Sequence, residues 1–338
     1  MRTFISRSVL VSVLTIVSSL SSQAQEFRFK LHHFNSPQSL AHQIFLVPWA
    51  KEIEAASNGR IKIDVFPSMQ LGGKSEDLYG QVRDGVVELA WTLPGYTAGQ
   101  FPLTSVMELP FLAPTTEIAS KVLMDLYERY LKEEYASVKV IALHTTDPNA
   151  LHSIPTVKAR ADFKGLKVRV ASRWVGQTIE ALGGTPVSLP LPEIAQAASR
   201  NQIDAFVIGW SVTRPFKLYE MVKSHTEVSF GTSPAMFVMN KNAYQSLPDD
   251  LKRIIDERSG MKLAGRLGQA WDEDVEKSRD AARKKGNTEI QLPAEELAEW
   301  KKAVRPVVES WISANSKRTD ARKVYEDTIE LIERHSKK

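Results

Sequence analysis

The sequence predicts an α/β protein built as two doubly wound α/β lobes, joined by a hinge and crossed by one long helix. Three observations predict it. Strand-length runs with period-two or continuous apolar character alternate with amphipathic helical runs, which is the pattern of doubly wound sheets. That alternation occurs twice, over 27–143 and again over 166–208. Beyond Leu247-Pro248 the pattern becomes helical, with no proline from Asp249 to Lys285.

The elements follow in order. Arg2 and Arg7, an apolar run over 9–20 and the small residues of Ser22-Gln23-Ala24 have the layout of a secretory signal cleaved after Ala24. The run is too short for a bilayer, which takes about 20 residues. Residues 27–31 alternate as a strand, 41–57 form an amphipathic helix ending at Asn58-Gly59, and 60–65 alternate again. A short helix over 76–83, a strand over 87–93 and a helix over 116–134 lead to the apolar run 138–143, expected to be covered on both faces. In the second half, strands at 166–170, 186–189 and 205–208 enclose helices at 174–182 and 194–200. Asp249 to Lys285 predicts an uninterrupted helix of about 55 Å at 1.5 Å per residue, with Gly260, Gly265 and Gly268 as candidate kinks. Helices over 294–315 and 320–335 close the chain. The expected division is a signal peptide (1–24), a first lobe (25–145 with a returning strand at 231–245), a second lobe (146–230), the long helix (246–286) and C-terminal helices (287–338).

Composition removes several classes of function. The 338 residues contain no cysteine, so disulfides, thiol catalysis, a lipidated N-terminus and Cys-bound zinc are excluded. The formal charge of +4 comes from 44 basic and 40 acidic residues that are well mixed. The basic residues near the C-terminus alternate with acids as on a solvated helix face, so no nucleic-acid partner is expected. No later run has membrane-spanning length, so no membrane insertion is expected. The seven histidines show no metal-ligand spacing, and neighbouring His32 and His33 point to opposite faces of a strand. Phosphate-loop, dinucleotide and nucleophile-elbow signatures are absent, so neither metal nor cofactor is expected. An exported α/β enzyme acting on organic acids is the alternative reading, and nothing in the sequence assembles a nucleophile, base and orienter for it.

Short motifs then add up in order and spacing: Asn58-Gly59-Arg60-Ile61, Gln70-Leu71-Gly72, Val82-Arg83-Asp84-Gly85, Leu109-Pro110-Phe111-Leu112, Gly165-Leu166-Lys167-Val168-Arg169, Leu182-Gly183-Gly184-Thr185-Pro186 and Asn201-Gln202-Ile203-Asp204. With them the chain resembles the solute-binding subunits of tripartite ATP-independent periplasmic (TRAP) transporters, the DctP-like family. The resemblance implies a periplasmic monomer that closes around an organic acid and delivers it to a small and a large membrane subunit. It also implies that Arg169 clamps the ligand carboxylate. Independent chemistry agrees: Arg169 lies near the carboxyl end of its strand, where open α/β sheets bind ligands, and a guanidinium can grip a carboxylate with two parallel hydrogen bonds. A structural ion pair of Arg169 with Asp204 or Glu193 is the competing reading.

Two departures from the family pattern bear on the ligand. A position where many members carry a second arginine is Asn149 here, and a usually polar stretch reads Ala205-Phe206-Val207-Ile208-Gly209-Trp210. One cation fewer and an aromatic more suit a monocarboxylate with an apolar or aromatic body. Trp91 and Tyr96, after the third strand, could stack on such a ligand, although Trp91 is equally placed for the core. His33 and Asn35 could donate hydrogen bonds, Trp210 could line the site, and Phe230 and Thr232 fall where a hinge is expected. Arg173 is expected to face solvent.

Overall fold

The computed structural model describes residues 26–97, 99–112 and 114–337. The expected signal peptide lies outside them. Eleven strands are present among the described residues: β1 Phe27–His33, β2 Ile61–Phe66, β3 Leu89–Thr92, β4 Val138–Thr145, β5 Asn149–Ser153, β6 Lys167–Val170, β7 Thr185–Ser188, β8 Ala205–Gly209, β9 Ser224–Thr226, β10 Pro234–Asn240 and β11 Thr288–Ile290. They form two sheets, ordered β2-β1-β3-β10-β4 and β11-β9-β5-β8-β6-β7. In the first, β1, β2 and β3 are parallel and β10 runs antiparallel between β3 and β4. In the second, β6, β7 and β8 are parallel, with β5 antiparallel to β8. Helices cover the sheets, so β4 and β10 are buried along almost their whole length, as their apolar sequences require.

Besides the helical stretch that leads from β10 to β11, two segments carry the chain between the sheets, β4 into β5 and β9 into β10. They run side by side. Thr146 N–H donates to Ser233 O at 3.0 Å, Asn149 N–H to Gly231 O at 2.8 Å, and Phe230 N–H to Asn149 O at 2.9 Å. The crossing is therefore a hydrogen-bonded two-stranded ribbon, the kind of short element that absorbs a hinge motion. Thr232 belongs to it as well, donating N–H to Met107 O at 3.0 Å.

The helix expected from Asp249 to Lys285 is broken. It comprises Asp249–Asp256 and Gly260–Lys285, the second of 26 residues or about 39 Å. Ser259 is extended and Gly260 takes φ +74°, while Trp49 Nε1 donates to Arg258 O at 2.8 Å and caps a carbonyl freed by the break. Gly268 is not a kink. A Cβ there would lie 2.5 Å from Glu117 Cα, so the glycine lets the long helix pack directly on the start of helix Thr116–Leu126. Asp272, one turn on, accepts the N–H groups of Thr116 and Glu117 at 2.8 and 3.0 Å and caps that helix.

Strands β5 and β9 have no counterpart among the expected elements, because they read as polar. Ser224-His225-Thr226 is nevertheless fully buried. Each side chain finds a partner: Ser224 Oγ lies 3.1 Å from Ser153 Oγ, His225 Nδ1 2.6 Å from His152 Nδ1, and Thr226 Oγ1 donates to Val157 O at 2.6 Å. Paired polar groups can occupy a core that unpaired ones cannot.

Candidate ligand-binding site

The site begins with β6. Val168 and Val170 project into the core with Trp174 and Ile179 of helix Arg173–Leu182, which turns Arg169 to the opposite face. Arg169 is 1% exposed. Its Nε–H donates to Leu189 O at 2.8 Å, its Nη1 lies 3.4 Å from Val207 O, and the phenol of Tyr96 lies beside the guanidinium. Among the described residues no carboxylate pairs with it. Asp204, one proposed partner, instead accepts the backbone N–H of Lys167 at 2.9 Å. Desolvation therefore pulls the Arg169 pKa down, with the Tyr96 contact opposing. A buried cation without a counterion is costly, and an anion entering beside it offsets that cost.

Arg169 opens onto a cavity with about 550 Å³ of empty space, part of it open to solvent. Its walls come from both sheets. Phe34, Trp91 and Tyr96 form a run of aromatic contacts, with ring centroids 5.4 Å (Phe34–Trp91) and 5.3 Å (Phe34–Tyr96) apart. Ile208 and Leu191 face them from the second sheet, Pro215 and Phe216 from the segment after β8, and Trp271 from the long helix. Polar groups are few: Asn35, Ser39, Thr146, Ser211 and Ser233. Asn35 lines the cavity and is 4% exposed.

Trp91 is held by His144. Indole Nε1–H can only donate, so His144 Nε2, 2.9 Å away, accepts, and the ring proton sits on Nδ1 and donates to Thr145 O at 3.0 Å. Burial drives the His144 pKa down to about 4 and keeps the ring neutral. Phe45 and Trp271 pack on the same imidazole. Tyr96 links the two lobes, its oxygen accepting the Leu191 N–H at 2.9 Å. Close by, burial raises the carboxyl of Glu108 to about 7.

Of the residues singled out from sequence, the structure brings Arg169, Tyr96, Trp91 and Asn35 to one cavity. Four others lie elsewhere. Trp210 donates to Glu227 Oε1 at 2.8 Å and is covered by Arg279, whose guanidinium carbon is 4.9 Å from its ring centre. Phe230 packs on Trp300 of helix Ala294–Asn315. Asn149 is part of the hinge ribbon, accepting Ser233 Oγ–H at 3.3 Å. His33 is buried against His42, with Nε2 3.0 Å from His42 Nδ1, and desolvation, followed by the charge of His42, lowers its pKa to about 3. Sequence reasoning missed Phe34, Ser39, Phe216 and Trp271. Trp271 carried a signal, as the one aromatic residue of its helix.

Two α/β lobes enclosing an aromatic slot, with one buried cation awaiting an anion, define a solute receptor rather than a catalyst. The chain belongs to the bacterial extracellular solute-binding proteins, family 7 (DctP), whose profile matches residues 31–315. It is similar to a TRAP solute-binding protein from a marine metagenome, specific for aromatic acid ligands and crystallised with 3-hydroxybenzoate. The two are 36% identical with a TM-score of 0.89, covering 92% of this chain and 99% of that one. A TRAP solute-binding protein from Rhodoferax ferrireducens T118, in complex with copurified benzoate, is equally similar at 36% identity and TM-score 0.89, covering 92% of this chain and 98% of that one. The transporter protein TsaT of Comamonas testosteroni is 25% identical, over 92% of this chain and 93% of its own. The chain is thus a TRAP-type solute-binding protein, and not an enzyme. Among the described residues no helix is long and apolar enough to cross a membrane.

Proposed function

We propose that this receptor captures an aromatic monocarboxylate in the periplasm, as a monomer, and presents it to the two TRAP membrane subunits. Arg169 holds the carboxylate, Asn35 and Tyr96 add hydrogen bonds, and Phe34, Trp91 and Trp271 enclose the ring. Closure brings together a first lobe (25–145 with 231–245) and a second (146–230), and the ligand drives it by touching both. The observation that carries this reading is Arg169, wholly buried, without a carboxylate partner among the described residues, in a slot of aromatic side chains. The relatives crystallised with benzoate and 3-hydroxybenzoate support the same ligand class.

Calorimetry with benzoate tests it. Arg169→Ala is expected to lose about 2–5 kcal/mol of binding, the usual cost of breaking a buried charge pair. Arg169→Lys is expected to recover little of this, since an ammonium cannot reproduce the two-pronged grip. Benzoate affinity unchanged in a folded Arg169→Ala variant would remove the clamp, and tighter binding of succinate than of benzoate would overturn the ligand class.

A further inference from the structure

A second recess lies behind the binding cavity, with about 1020 Å³ of empty space, part of it open to solvent. It is more polar than the cavity, lined among others by Ser172, Arg173, Gln177, Glu180 and Ser188. Two residues, Tyr96 and Ala171, line both spaces. Ala171 contributes only a methyl group, so the Tyr96 ring is the bulk of the partition. The ring is fixed on two sides: Phe34 packs against it and Leu191 N–H donates to its oxygen. Because that oxygen lies beside the Arg169 guanidinium, the partition stands at the end of the cavity where a carboxylate would be held.

We infer that Tyr96 determines specificity by closing the site beside the carboxylate, admitting flat or unbranched acids and rejecting those with bulk on the carboxyl-bearing carbon. The inference rests on the reading of Arg169 as the carboxylate clamp. Its physical basis is packing: a first-lobe ring whose oxygen is held by the Leu191 N–H of the second lobe cannot swing aside without losing that hydrogen bond, and an α-substituent needs the volume it occupies. Removing the ring joins the slot to the recess. Removing only the hydroxyl keeps the wall and loses the hydrogen bond.

Calorimetry with phenylacetate and its α-ethyl derivative, 2-phenylbutyrate, separates these effects. The native chain is expected to prefer phenylacetate at least tenfold. Tyr96→Ala and Tyr96→Leu, each checked for folding by thermal melting, are expected to narrow that ratio to threefold or less. Tyr96→Phe is expected to weaken both acids together and keep the ratio. A native chain without the preference, or a ratio that survives in an alanine or leucine variant still binding phenylacetate, overturns the inference and leaves the clamp standing. Failure of the native chain to bind benzoate or phenylacetate at all removes the reading of the site and the role of Tyr96 with it.

Discussion

Trp91 and Trp210 occupy equivalent places in the two halves of the molecule, one at the carboxyl end of β3 and the other just past β8. Each is 2% exposed and each indole lies against a histidine. Only Trp91 faces the cavity. Its N–H is satisfied by a neutral partner, His144 Nε2, which leaves the ring in apolar company with Phe34. Trp210 donates to a carboxylate, and that carboxylate brings charges with it: Glu227 pairs with Arg279 at 2.6 Å, and Arg279 with Glu289 at 2.7 Å. The guanidinium then covers the indole face that a ligand would need. An aromatic at a strand's carboxyl end becomes a binding surface when its polar edge is satisfied by something uncharged.

The contrast predicts that truncating the two tryptophans has different consequences. Trp210→Ala removes an indole that packs on His152, His225 and Arg279, and is expected to cost about 3–5 kcal/mol of stability, as large-to-small core substitutions do. Benzoate affinity of the folded fraction should stay within about threefold of native, since Trp210 does not line the cavity. Urea unfolding and calorimetry measure the two quantities separately. Loss of affinity with stability retained would put Trp210 back in the site.

The same contrast explains what could be read from the sequence. Arg169, Tyr96, Trp91 and Asn35 were legible because period-two strands and their carboxyl ends fix where side chains point. Trp210 was legible as an aromatic near a strand end but not as the lid of an ion-pair network, since Glu227, Arg279 and Glu289 come from three separate segments. Trp271 reaches the cavity only because Gly268 lets its helix pack closely on helix Thr116–Leu126. Strands β5 and β9 were hidden for a related reason: their hydrophilic side chains satisfy one another, and hydropathy cannot see a pairing across 73 residues. The break at Ser259 depends on Trp49, more than 200 residues away.

Acid should expose the histidines beside Trp210. Asn287 Nδ2 donates to His225 Nε2 at 3.0 Å, His225 Nδ1–H to His152 Nδ1 at 2.6 Å, and His152 Nε2–H to Ile208 O at 3.1 Å. Every ring nitrogen is used, and a further proton would set N–H against N–H. Desolvation lowers both pKa values, that of His225 to about 4. A histidine with a depressed folded pKa binds fewer protons folded than unfolded, so its contribution is complete above about 6.5 and is lost as the pH falls toward 4. The expected loss is up to about 3 kcal/mol, at 1.36 kcal/mol per unit of pKa. Proton NMR of the histidine rings checks the cause: signals of His152 and His225 that titrate near 6.5 would contradict it.

The smallest effect is expected at the Trp91 edge. Trp91→Phe keeps an aromatic face toward the cavity and deletes only the N–H held by His144. His144 Nε2 then loses its donor while fully buried, at a cost of about 1–3 kcal/mol. A shift to the other tautomer gives no relief: a proton on Nε2 finds no acceptor beside a phenylalanine, and the Nδ1–H bond to Thr145 O is forfeited. Either state leaves at least one buried polar atom unpaired, so the stability loss should appear whichever is adopted. Benzoate affinity should fall by less than tenfold, because the wall survives. His144→Phe in the Trp91→Phe background removes both polar edges at once and should recover part of the lost stability, as replacing both partners of a buried pair by apolar groups can. A double variant less stable than Trp91→Phe by the full cost of a lone His144→Phe would show that His144 supports Trp91 by packing and not by its hydrogen bond.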